Sequence, residues 1–231
     1  MSAVLWLRVK APFAAFRPLQ AGVFRGTVGT MPHSTAYGLV LNLAAIETRA
    51  KEVVETTLMK PASDLPTLRI AVGEKREPEI GTLYQQLHSY PVGNSSQLLA
   101  PGCHGAKYHI APARREVLVG LDVVIAVQAD PAILQRVRDG LRGELDTDRY
   151  GLPFAGDNNL LYDSIDCSST AIPARWYVPV DRLRGAQPRT TKLTLAIDRG
   201  DSSKTRSGWF FPEVEENDCV PDSAWVSTPT A

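Results

Sequence analysis

The residues able to do chemistry fall into two clusters, and both are cationic and aromatic. The first occupies the opening 46 residues: Trp6, Arg8 and Lys10 in alternation, then Phe16, Arg17 and Arg25, then His33, Ser34 and Thr35. Glu47 is the first acid, although the chain has 25 acids in 231 residues, and about five would be expected in a stretch of that length. Cations held without carboxylates suit a bound phosphate backbone. A buried strand and helix that happen to lack acids would give the same composition.

The second cluster lies in residues 80–115, which hold no acid. Lys107, His109, Arg114 and Arg115, with His88 and His104, offer phosphate contacts, and Tyr84, Tyr90 and Tyr108 offer rings on which bases stack. A His, Lys or Tyr beside a 2′-hydroxyl would also suffice for metal-independent RNA cleavage, for which Lys107, Tyr108 and His109 are the candidates. A binding surface needs the same residue types.

Other chemistries leave no trace. The chain has no Walker-type glycine loop, dinucleotide fingerprint, Gly-x-Ser-x-Gly elbow or His-Glu-x-x-His helix. The acids of Arg149 to Asp166 fail the calcium-loop pattern, because Leu161 stands where an oxygen ligand is wanted. Three distant cysteines, Cys103, Cys167 and Cys219, fit neither a disulfide framework nor a zinc knuckle. No catalytic residue, metal ligand or cofactor is therefore assigned.

The elements that must position these clusters can be read from periodicity. Leu5, Leu7 and Val9 alternate with Trp6, Arg8 and Lys10, which predicts a strand over Val4 to Val9 with one aliphatic face. A helix follows, entered through Pro32 and His33, with Ser34 or Thr35 as N-cap and Leu39, Leu43 and Ile46 facing the core. Its unpaired N–H groups, with Ser34, Thr35 and His33, would form a phosphate seat. Leu68, Ile70 and Val72 predict a second strand, and Glu116 to Gln128 a third. Asp130 and Pro131 supply N-cap and N1 for a second helix with Leu134, Val137, Leu141 and Leu145 inward.

This β-α-β-β-α order is that of an α+β, ferredoxin-like or RRM-like fold, with two helices on one side of an antiparallel sheet and the other side open. Between the second and third strands, Glu77 to Arg115 is too long for a hairpin loop and is expected to form an inserted arm. Strands around Trp176 to Val180 and Leu193 to Ile197 follow. The expected organisation is an RNA-binding domain over 1–150, with 77–115 as the arm, and a C-terminal β-rich extension over 151–231. The tail from Ser207 has five acids and no Lys or Arg, and is expected on the surface or against a basic partner.

The net charge is zero, so nucleic-acid binding would depend on local charge separation rather than on a basic coat. No apolar run is long enough for a bilayer, so no membrane partner is expected and a cytoplasmic location is the simplest.

Several of these motifs occur in an order that resembles the Cas-five family of CRISPR Cascade subunits. The resemblance rests on Pro12-Phe13-Ala14-Ala15-Phe16-Arg17 after the first strand, on Arg25, and on Pro32-His33-Ser34-Thr35-x-x-Gly38-Leu39. Arg149-Tyr150-Gly151-Leu152-Pro153-Phe154 with Gly156-Asp157-Asn158-Asn159 is similar to the DevS, or myxobacterial-type, branch. The resemblance implies a thumb inserted in a ferredoxin-like body. It also implies a subunit that caps the 5′ handle of the CRISPR RNA and docks between the backbone (Cas-seven) filament and the large subunit, meeting target DNA only indirectly. One branch of the family cuts precursor RNA with a Tyr and an adjacent Lys-His pair. Here Tyr108 separates Lys107 from His109, so binding without cutting is expected. An endoribonuclease and a purely structural protein-binding subunit are the alternatives.

Overall fold

The computed structural model describes residues 4–18, 24–48, 64–89, 98, 100–105, 109–181, 187–198 and 201–229, with backbone only at 87–89, 109–111 and 202. The elements run β1 (Val4–Ala14), α1 (His33–Leu43), β2 (Leu68–Arg76), β3 (Glu79–Ser89), β4 (His109–Gln128), α2 (Pro131–Arg142), β5 (Ser164–Ser168), β6 (Arg175–Pro179), β7 (Thr191–Ala196), β8 (Arg206–Pro212) and β9 (Val226–Thr228). One antiparallel sheet has the order β5-β1-β4-β2-β6-β8-β7, with β3 also paired to β4 and β9 to β2.

The expected aliphatic face of β1 is buried, with Leu5, Leu7 and Val9 each at 0% exposure. It joins Ile70, Val72, Val123, Ile125 and Val127 against Leu39, Leu43, Leu134 and Val137 of the helices. Burial of each such side chain contributes about 1.5–3 kcal/mol, which makes this the main source of the fold's stability. β1 runs five residues past the expected end, through Pro12. Partner β5 pairs only with Trp6 to Lys10, so β1 is an edge strand at Pro12, where a missing N–H is tolerated.

α2 begins as expected: the Asp130 carboxylate accepts the Ala132 N–H at 2.8 Å, and Pro131 follows it. For α1 the expected cap is corrected. Pro32 is the N-cap, with no side-chain hydrogen bond, and its carbonyl accepts from both Thr35 and Ala36 at 3.0 Å. The helix starts early because His33 is drawn into the core, its ring 5.0 Å from that of Phe210 on β8.

The expected open face of the sheet is also corrected. Trp6, Ala71, Val124 and Ala126 are covered by Ala174, Trp176, Val178, Phe211 and Ala224. Trp176 lies over Gly73, where an added Cβ would stand 2.9 Å from the indole, so only glycine admits the ring. Its Nε1–H donates to the Asn217 carbonyl at 2.7 Å, and Glu216 pairs with Lys75. The acidic tail is thus tied back over this face by its own chain.

The 77–115 insertion contains a two-stranded ribbon: β3 pairs with the first half of β4 from Glu79 opposite Val119 to Ser89 opposite His109. β4 is therefore 20 residues long rather than beginning at Glu116. The sequence hid β3 because its even positions, Ile80, Thr82, Tyr84 and Gln86, face solvent and carry no common polarity. Among the described residues no helix is long and apolar enough to cross a membrane.

Candidate phosphate-binding pocket

Where β1 ends, three segments close around its last residues. The Ala15 N–H donates to the Ala155 carbonyl at 2.9 Å. On the other side the Phe16 N–H donates to Thr27 Oγ1 at 3.0 Å, and Val28 N–H to the Phe16 carbonyl at 2.9 Å. The loop carrying Arg25 is fastened to the base of the ribbon: Arg25 N–H donates to the Arg114 carbonyl, 3.1 Å, and Glu116 N–H to the Arg25 carbonyl, 2.8 Å. The Thr27 N–H adds a bond to the Glu116 carboxylate at 3.1 Å.

These segments leave a cavity of about 170 Å³ lined by Ala15, Arg17, Arg25, Gly26, Arg115, Gly156 and Asp157. Gly156 has φ +83°, and a Cβ there would stand 2.2 Å from the Ala15 carbonyl oxygen. Glycine is thus required on two grounds, a left-handed backbone and the close approach of the next chain. Arg115 is 7% exposed and pairs with Asp157 at 2.7 Å, with Nη1 donating to Gln85 at 3.2 Å. Partial burial pushes the Asp157 carboxyl up, but the Asn159 N–H and the Arg115 guanidinium outweigh it and hold the carboxyl below the usual range. Asp157 therefore stays ionised and fixes Arg115. Arg17 is exposed and Arg25 half-buried, and neither has an ion pair among the described residues. Two unneutralised guanidiniums beside a braced third make the cavity cationic, with planar donors suited to phosphate.

The other expected site residues are placed differently. Trp6 is 7% exposed, its ring 5.8 Å from Trp176, so it presents no open face for a base. Arg8 is committed to Asp122 by a two-bond fork, 2.9 and 2.7 Å. Lys10 is half-buried beside it, Phe16 is in the core, and Ser34 and Thr35 are half-buried in the first turn of α1. Arg114 is exposed on the ribbon, opposite Tyr84, which is 77% exposed. Lys107 and Tyr108 lie outside the described residues, and of His109 only the backbone is described. Gly156 and Asp157 went unassigned as site residues; the signals for them were an acid set in a turn-rich run and their place in the motif that carries the family resemblance. Among the described residues no cluster of His, Cys, Asp or Glu could hold a metal ion.

His33 is not part of a phosphate seat. It is 0% exposed, and neither ring nitrogen makes a well-formed hydrogen bond, the Ala224 backbone offering only a weak contact. Burial pushes its pKa from 6.5 down to about 4, against a weaker opposing pull from the Ala224 backbone. The folded state thus keeps the ring neutral while the unfolded chain takes a proton below its ordinary pKa. Stability is complete above that value and declines as pH falls toward the folded pKa, by about 2 kcal/mol between pH 7 and pH 5. Urea unfolding at both pH values should show this loss in the wild type and a much smaller one in His33→Leu. Equal losses would mean that His33 is not the responsible group.

No protein-family model matches this chain, and no curated protein does. Solved structures do. One, described as a CRISPR RNA-guided surveillance complex, aligns over 96% of this chain and 92% of its own with a TM-score of 0.57 at 12% identity. The two chains share a fold. Two further alignments are with a structure described as a Cas protein, TM-score 0.48 at 11% identity over 94% and 97% of the chains, and with a CRISPR protein from Archaeoglobus fulgidus, TM-score 0.38 at 12% identity over 96% and 90%.

Proposed function

We propose that the chain is a non-catalytic RNA-binding subunit of a Cascade-type CRISPR effector complex, of the Cas-five kind, and that its cationic pocket holds phosphates of the guide RNA's 5′ handle. The observation that carries this reading is the convergence of Arg17, Arg25 and Arg115 on one cavity at the base of the ribbon. Two supports are independent of it, and a third bears on the same cavity. The antiparallel order β5-β1-β4-β2 with the two helices α1 and α2 is an α+β arrangement, which supports the ferredoxin-like reading. The fold is shared with a chain of a CRISPR RNA-guided surveillance complex. The Gly156-Asp157 motif, quoted in the family resemblance, lines the same pocket as the Arg17 and Arg25 motifs although more than a hundred residues separate them.

Phosphate contacts of this kind position an RNA without reading its sequence, and the exposed Tyr84 beside Arg114 offers a stacking surface on the adjoining ribbon. The backbone and large subunits of such a complex would then be the protein partners. Hydrogen exchange on the purified chain with a repeat-derived RNA tests the reading. Protection is expected at residues 24–28 and 154–160, with the labelled repeat left intact in the absence of metal. Protection confined to β7 and β8 would overturn the pocket assignment, and cleavage of the repeat would overturn the non-catalytic one.

A further inference from the structure

A second cationic cavity lies on the helix side of the sheet, between α2 and β5. Its volume is about 270 Å³, and Arg138, Leu141, Arg142, Cys167 and Ser169 line it. None of them belongs to the pocket at the end of β1. Cys167 stands opposite Leu7, whereas Ala15, which lines the first pocket, directly follows β1 and is eight residues beyond Leu7. At ~3.3 Å per residue the two cavities are roughly 25 Å apart along the strand.

The arginines of α2 are not equivalent. Arg136 is spent on structure, donating to the Ala44 carbonyl at 2.9 Å and pairing with Asp146 at 3.3 Å. Arg138 has no ion pair among the described residues, and Arg142 has one long contact, 3.7 Å, to Glu144, with both side chains 60% exposed. At i and i+4 their guanidiniums rise from one face of the helix. Facing them is β5, an edge strand whose only sheet neighbour among the described residues is β1. Among the described residues its outer N–H groups have no strand to pair with. Burial pushes the Cys167 thiol up, while Arg138 and Arg142 pull it down, so the field of both arginines reaches the cavity floor.

The chemistry narrows the occupant. Small-molecule pockets usually span ~300–1,000 Å³, so this one has room for a fragment rather than a whole cofactor. Donor-bearing side chains line it from both walls, Arg138 and Arg142 from the helix and Ser169 from the strand side. Two guanidiniums from one helix face carry the double charge that favours a phosphate over a singly charged carboxylate, since each can donate two parallel bonds to its oxygens. We propose that the cavity between α2 and β5 seats a phosphate group of a polynucleotide backbone, at a site separate from the Arg17 and Arg25 pocket. The phosphate assignment stands on this cavity alone, whereas the polynucleotide as its source rests on the function proposed above.

Cys167, exposed on the cavity floor, is a built-in reporter. An anion that covers the thiol and neutralises the two arginines lowers both its access and its thiolate fraction. Alkylation of the full chain by iodoacetamide, read by mass on the peptide carrying Cys167, should slow at least threefold with inorganic pyrophosphate and with a short single-stranded RNA, relative to chloride at equal ionic strength. Slowing by both probes assigns the site to phosphate chemistry in general, and slowing by RNA alone assigns it to the polymer. Arg138→Gln with Arg142→Gln should abolish the effect, while Arg17→Ala with Arg25→Ala should retain it. No slowing by either probe, slowing that survives the Arg138 and Arg142 substitutions, or slowing by polyglutamate alone would overturn the proposal. Urea unfolding of each variant confirms that it is folded, so loss of the effect cannot come from loss of the fold.

Discussion

Replacing Arg17 and Arg25 together with alanine is expected to weaken binding of repeat-derived RNA by about 10–100-fold near 0.1 M salt, without unfolding the chain. Both side chains lack ion pairs among the described residues, so their removal leaves no buried carboxylate behind. The Arg25 backbone bonds to Arg114 and Glu116 do not need the side chain. The diagnostic quantity is the salt dependence. Each phosphate contact to a single strand contributes ~0.7 to the slope of log affinity against log salt, so losing two should flatten it by about 1.4. Fluorescence anisotropy across a salt series measures both numbers. An unchanged slope would remove the pocket from the RNA path even if affinity fell. Arg115→Ala is a poorer test, since it strands the Asp157 carboxylate and confounds binding with stability.

Glu74→Gln is expected to cost about 3 kcal/mol of stability and roughly 10 °C in melting temperature. Glu74 is 0% exposed at the end of β2 and is held by two arginines and a tyrosine. Arg189 forks onto it at 2.5 and 2.8 Å, Arg175 approaches at 3.1 Å, and the Tyr177 hydroxyl donates at 2.8 Å. Neutralising the carboxylate leaves the Arg175 guanidinium without an ion pair among the described residues and Arg189 with Glu77 alone, at 2.8 Å. Their side chains keep 26% and 27% exposure, so partial hydration places the cost at the low end of the range for a broken buried pair. Arg175 and Tyr177 lie on β6 and Arg189 just before β7, so this cluster fastens the C-terminal strands to the sheet. Urea unfolding decides the matter. A loss under 1 kcal/mol would mean that apolar burial of Trp176 and Tyr177 holds those strands without the charge cluster.

The structure also separates two roles that the first cluster of cations and aromatics could not separate by itself. Arg8 and Arg17 belong to the same acid-free stretch, yet one is consumed by Asp122 and the other stands at the pocket rim. Asp122 lies 114 residues from Arg8, across a strand pairing that joins Lys10 to Asp122. The absence of local carboxylates thus says little about the cation's neighbours once the sheet has formed.

What the sequence determined by itself is local and periodic. Alternation over Leu5 to Val9 and Leu68 to Val72, the Asp130-Pro131 cap and the spacing of Leu134 and Val137 each specify an element, because period, cap and burial act within a few residues. The order of those elements made an α+β sheet with two helices legible. The tertiary structure alone decided which surfaces survive. Trp176 and Phe211 close the sheet face expected to be open at Trp6, because covering Trp6, Val124 and Ala126 removes their apolar area from water. The pocket itself joins Arg17, Arg25, Arg115 and Gly156 from four separate segments. No spacing along the chain encodes that meeting, because long-range strand pairing, a non-local interaction, brings those segments together.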